Sequence, residues 1–181
     1  MRSIRPPGTV TTVTILCTEV VGSAEIRERL GGEPVDRLLA DHQQLLRTMA
    51  RERGSVFIRS RGEGIMAVFP SATAGLEAIT AIEQALVREN RAAVERITIR
   101  AALSAGDVRW GEDDIAGLPP VEAARLLVAT AGDQVLCTDV VYLLSQGRCR
   151  CEFREHGPVP GKGLPEPMHA YELMWRRTDA S

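Results

Sequence analysis

Two glutamates, Glu19 and Glu63, stand close to glycine, Glu19 three residues before Gly22 and Glu63 between Gly62 and Gly64, at the end of an apolar, strand-like run. The first closes Val13-Thr14-Ile15-Leu16-Cys17-Thr18-Glu19-Val20-Val21-Gly22, and the second lies in Phe57-Ile58-Arg59-Ser60-Arg61-Gly62-Glu63-Gly64-Ile65-Met66. Carboxylates at neighbouring strand ends can hold divalent cations, and two such ions can drive phosphoryl chemistry. Equally, both residues read as exposed acids at a loop and a hairpin with no metal. Arg125 follows Val121 by four residues in Pro119-Pro120-Val121-Glu122-Ala123-Ala124-Arg125-Leu126, which puts the two positions on one helix face. A guanidinium there can neutralise charge on a phosphate, whereas Val121 offers no hydrogen bond. Arg125 could also be a surface residue paired with Glu122 or Asp133.

Other chemistry is sparse. His42, His156 and His169 show no ligand spacing, Gly62-Glu63-Gly64 is too short for a phosphate-binding loop, and Ser23, Ser71 and Ser104 lack a base that would make a nucleophile. Cys149 and Cys151 are too close for an ordinary metal pair and have no partner motif, so they are expected, with Cys17 and Cys137, as plain thiols.

The elements that must carry these residues follow from periodicity. Residues 9–17 are β-branched and read as a strand; Ser23 can cap a following helix that Gly31-Gly32 closes. Val35, Leu38, Leu39, Leu45, Leu46 and Met49 repeat at helical spacing from Pro34 to Arg53. Strands at 55–60 and 65–69 flank a hairpin turn, and Pro70-Ser71 opens a long helix. Further on come a strand at 96–104, a polar loop at 107–117, a helix at 120–130, a strand at 134–137 and a helix at 139–145. Short strands near 151–154 and 169–173 finish the pattern. This order predicts an α+β, ferredoxin-like (βαββαβ-type) sheet with C-terminal additions. One domain over 9–175 is expected, between a frayed stretch at 1–8 and another at 176–181.

Read as a set, the landmarks resemble class III adenylate and guanylate cyclases over roughly residues 9–173, in a divergent bacterial branch whose members often accompany signalling or DNA-binding domains. The resemblance implies that Glu19 and Glu63 occupy the positions of two metal-binding aspartates. Glutamate reaches one methylene further, which disfavours magnesium and suits the more tolerant manganese. It implies that Arg59, standing for a lysine, and Asp114 read the base, with Asp114 favouring adenine and ATP over GTP. Arg125 keeps the transition-state arginine, Val121 replaces its partner asparagine, and Lys162, between Gly161 and Gly163, matches a lysine near the terminal phosphates. Asp114 and Lys162 read equally as a solvated loop acid and a solvated turn. A head-to-tail homodimer, or a heterodimer with a complementary chain, would complete each site, one protomer giving Glu19 and Glu63 and the other Arg59, Asp114, Arg125 and Lys162.

These replacements make the leading expectation a catalytically weak or inactive nucleotide-binding, dimerising signalling module. The alternative is a manganese-preferring adenylate cyclase that converts ATP to 3′,5′-cyclic AMP and pyrophosphate.

Bulk properties narrow the alternatives. In 181 residues the formal net charge is −2, which favours no nucleic-acid partner, and 4% aromatic content argues against a base-stacking platform. No apolar run could span a bilayer and no secretory leader opens the sequence, so a cytoplasmic location is expected.

Overall fold

The structure, a computed structural model, describes residues 5–160 and 167–176. It is built on strand β1 (Val10–Val20), whose Cα register with β3 (Gly64–Phe69) runs from Thr14↔Phe69 to Cys17↔Met66, and with β4 (Ile99–Trp110) from Val10↔Arg109 to Val20↔Ile99. β2 (Phe57–Arg61) pairs with β3 as a hairpin, so the first four strands lie in the antiparallel order β2-β3-β1-β4. That is the expected ferredoxin-like core. β6 (Val135–Thr138) adds parallel to β4, followed outward by β8 (Met168–Leu173) and β7 (Phe153–Val159), while β5 (Ile115–Gly117) pairs with β4 at its far end.

Alternation along the strands divides the core into two layers. Leu16 and Val20 of β1, with Ile65, Ala67 and Phe69 of β3, face α1 (Ser23–Leu30), α2 (Gly32–Glu52), α3 (Ala72–Asn90) and α5 (Asp139–Ser145). Val13, Ile15 and Cys17, with Met66 and Val68, face the opposite way, where α4 (Leu118–Ala129) inserts Ala123, Leu126 and Leu127. In α2 the buried positions Val35, Leu39, His42, Leu46 and Ala50 fall three or four apart, as a helix lying on a sheet requires. No helix among the described residues is long and apolar enough to cross a membrane.

Three details differ from expectation. Ser23 does not cap α1: Gly22 takes the N-cap position in a left-handed conformation (φ 70°), and no side chain bonds there. Ser71, by contrast, caps α3, its hydroxyl accepting from the Ala74 N–H at 3.2 Å. The stretch 107–117 is not a plain loop, because β4 continues to Trp110, whose indole is buried and donates to the Thr11 hydroxyl at 2.8 Å, and β5 follows as the return strand. Cys149 and Cys151 form a disulfide rather than standing as thiols, since the intervening residue leaves their Cα atoms 5.2 Å apart, within bridging range. Cys17 and Cys137 are free and buried, as expected.

Candidate functional site

Glu19 and Glu63 come together because β1 and β3 approach closely at their shared end. The register reaches Cys17↔Met66, and its continuation sets Glu19 opposite Gly64, beside Glu63. Here the Ile65 N–H donates to the Thr18 hydroxyl at 3.1 Å. Only glycine fits at position 64, because a Cβ there would stand 1.9 Å from the Thr18 carbonyl oxygen.

Each carboxylate is already engaged by a guanidinium. Arg100, the cross-strand neighbour of Glu19, donates from Nε to Glu19 Oε2 at 2.8 Å and makes a second contact to the same oxygen from Nη2. Its Nη1 reaches the Thr130 carbonyl at 3.4 Å, at the end of α4. Arg27, on α1, donates from Nη2 to Glu63 Oε1 at 3.1 Å and from Nη1 to Asp36 Oδ1 at 3.2 Å, and the Glu63 carboxylate holds its pKa above the usual arginine value. Among the described residues no group of three or more His, Cys, Asp or Glu could hold a metal ion. Both Arg100 contacts fall on Glu19 Oε2 and the Arg27 contact on Glu63 Oε1, so magnesium or manganese at this end of the sheet would share each carboxylate with a guanidinium.

Arg59 and Asp114 also meet. Arg59 Nη1 donates to Asp114 Oδ1 at 2.6 Å, and the Ile115 N–H donates to the same oxygen at 2.7 Å. Both contacts fall on Oδ1, which leaves Oδ2 able to accept from a ligand. β2 and the β4–β5 turn position the pair on the sheet face that α4 occupies, since Arg59 lies opposite Met66 in the register.

α4 begins with Pro119 and Pro120 in its first turn, where the missing N–H groups have no intrahelical partner to lose. Arg125 Nη1 is buried with no hydrogen-bond partner among the described residues. The two acids that could have paired with it are engaged elsewhere: Glu122 accepts from the Ser104 hydroxyl at 2.6 Å, and Asp133 from Arg176 Nη2 at 2.7 Å. Arg125 as a whole is half-buried, and this one nitrogen keeps a hydrogen bond to donate. Val121 is exposed on the same helix and brings no polar group. Lys162 lies outside the described residues.

Sequence reasoning missed Arg27 and Arg100. The signal for Arg100 was the pairing of β1 with β4, which puts it opposite Glu19 across 81 residues. Arg27 had no such signal, because its contact depends on how α1 leaves the Gly22 turn.

No family model matches the chain. Among curated proteins it is 30% identical over 166 residues to the serine/threonine-protein kinase pkn2 of Myxococcus xanthus, covering 90% of this chain and 20% of that protein. It is 25% identical over 205 aligned positions to a receptor-type adenylate cyclase of Trypanosoma congolense, covering 89% of this chain and 27% of that protein. The chain thus spans only a fifth to just over a quarter of these relatives. Among solved structures it superposes on the adenylyl cyclase CyaB from P. aeruginosa with TM-score 0.83 at 19% identity, over 96% of this chain and 98% of that one. On an adenylate/guanylate cyclase/hydrolase from Silicibacter pomeroyi the TM-score is 0.80 at 25% identity, over 91% and 97% of the two chains.

Proposed function

This chain is a cyclase-homology domain with the class III cyclase fold, and from that premise we propose that it is a nucleotide-binding, dimerising regulatory module without useful turnover. The observation that carries this reading is the pairing of both metal-position carboxylates with guanidinium groups of the same chain. The loss of a donor at Val121 supports it, because removing one preorganised transition-state donor typically costs about 10²–10³ in rate. Arg125 supports retained binding, since its buried Nη1 has a hydrogen bond to offer a phosphate oxygen. The open Oδ2 of Asp114 can accept from an adenine amino group, which favours ATP over GTP.

Dimerisation is supported by α4. Leu118, Val121 and Val128 recur at helical spacing and are all exposed, Val128 to 74%. A second copy would cover this face and bring its own α4 over the sheet. A complementary cyclase-homology chain could do the same. A signalling setting is supported by the relatives, one named as a protein kinase and the other as a receptor-type cyclase.

The test is product formation from ATP and from GTP by mass spectrometry, with magnesium and manganese in parallel, beside calorimetric binding of a non-cyclisable ATP analogue. The expected result is no cyclic nucleotide from folded protein, with analogue binding that weakens about tenfold in Arg125→Ala. Cyclic AMP that requires manganese and vanishes in Arg125→Ala would overturn the reading.

One observation favours that second possibility, a weak adenylate cyclase: both carboxylates persist at adjacent strand ends. If erosion alone silences the site, Val121→Asn combined with Glu19→Asp and Glu63→Asp raises turnover by orders of magnitude. A triple variant that folds, dimerises and stays silent supports the regulatory module.

A further inference from the structure

On the helix-covered side of the sheet, away from α4, lies a cavity of about 690 Å³. Its walls are the outer face of α3, the segment leaving β8, and the loop between α5 and β7 that holds the Cys149–Cys151 disulfide. Both cysteines line it and are half-buried. Two guanidinium groups, Arg53 and Arg150, open onto the same space, and neither makes an ion pair with any described residue. Two carboxylates, Glu77 and Glu152, face it as well.

We infer that Cys149 and Cys151 are a thiol–disulfide exchange site, reached through this cavity by a small zwitterionic thiol that carries both carboxylate and ammonium groups. The lining matches such a molecule group by group. Arg53 and Arg150 would take its carboxylates, Glu77 and Glu152 its ammonium, and the disulfide lies among them. An arginine between the two cysteines in sequence, opening onto the same cavity, also favours the thiolate that exchange requires and that it releases.

The chemistry balances without a metal or further cofactor. A thiolate of the small molecule attacks one cysteine sulfur, forming a mixed disulfide and releasing the other cysteine as a thiolate. A second thiolate attacks the small molecule's sulfur in that mixed disulfide and frees the remaining cysteine. Two small thiols are oxidised to their disulfide, and the protein disulfide takes up two electrons and two protons to become a dithiol. The reverse sequence reoxidises it.

The test uses the full chain and two probes, glutathione as the zwitterionic thiol and 2-mercaptoethanol as an uncharged one. Reduction is followed by acid quench, alkylation and intact mass. The expected result is a disulfide at Cys149–Cys151 in the oxidised protein, with a reduction rate that saturates in glutathione but stays linear in 2-mercaptoethanol. Arg150→Ala should slow the glutathione reaction about tenfold and leave the 2-mercaptoethanol rate within about twofold, which also shows the loop is intact. Should Arg150→Ala disturb that uncharged rate, Arg53→Ala, on α2's end and remote in sequence from the loop, makes the same comparison. Free thiols at both positions after equilibration with oxidised glutathione would overturn the inference. So would linear kinetics with both probes and indifference to both arginine substitutions.

Discussion

Gly64 shows how much of the site rests on single residues. Its missing side chain lets β3 run against Thr18, so that Glu63 arrives beside the end of β1. Gly64→Ala is predicted to destabilise the domain by about 1–3 kcal/mol, the usual cost of forced overpacking, read as a lowered thermal midpoint. The Arg27–Glu63–Asp36 network is different, since its arginine is 46% exposed. Arg27→Ala is predicted to leave the urea unfolding midpoint almost unchanged, because exposed ion pairs contribute little. A larger loss would mean that the network holds α1 in place. The two glutamates were readable in the sequence because each stands within three residues of a glycine at the end of an apolar run. Their arginine partners were not, because ion pairing across strands has no local spacing.

At the scale of elements, α3 carries a buried acid that no periodicity announces. Glu83 is 2% exposed, its Oε1 has no hydrogen-bond partner among the described residues, and burial, then the nearby Asp133 carboxylate, push its pKa up to about 8, with Arg176 opposing. A carboxyl whose folded pKa is raised contributes stability that is whole below the unfolded value, 4.5, and lost as pH rises through 8. His42 on α2 acts in the opposite sense: burial lowers its pKa from 6.5 to about 4, so its contribution is present above 6.5 and lost as pH falls towards 4. Between pH 6.5 and 8 only the Glu83 effect operates. Stability is predicted to fall across that window and to stay level in Glu83→Gln, as measured by denaturant titrations at each pH. For α4 the prediction concerns association: Val128→Glu should convert dimer to monomer in sedimentation velocity, with the far-UV spectrum unchanged, because that side chain touches solvent in the single chain. Helical and strand periods foretold α2, α3 and α4. They missed β5, which has three residues and exists only because β4 is long enough to pair with it.

For the whole molecule, the order β2-β3-β1-β4 was legible from the succession of strand, helices, hairpin, helix and strand, and the placement of β8 between β6 and β7 was not. Nothing in a short C-terminal strand says which edge it will join. Two layers also explain the division of labour between faces. Among the described residues four helices close one side of the sheet, and α4 lies on the other, the face that also carries the Arg59–Asp114 pair. The Cys149–Cys151 loop belongs to the closed side, so the disulfide and the Arg59–Asp114 pair lie on opposite faces of the sheet.

β1 is first in the chain yet central in the sheet, and this sets the tempo of folding. Its neighbours begin at residues 64 and 99, so one edge waits for the hairpin and the other stays unpaired until more than half of these residues have been made. Pairing over such separations closes long loops before any contact rewards them, which places refolding in the slower range of milliseconds to seconds. Until β4 arrives, the end of β1 that carries Glu19 has neither Arg100 beside it nor α4 above it. The surroundings of Glu19 are therefore complete only once β4 and α4 have formed, and a nascent chain lacking β4 exposes an apolar strand open to mispairing.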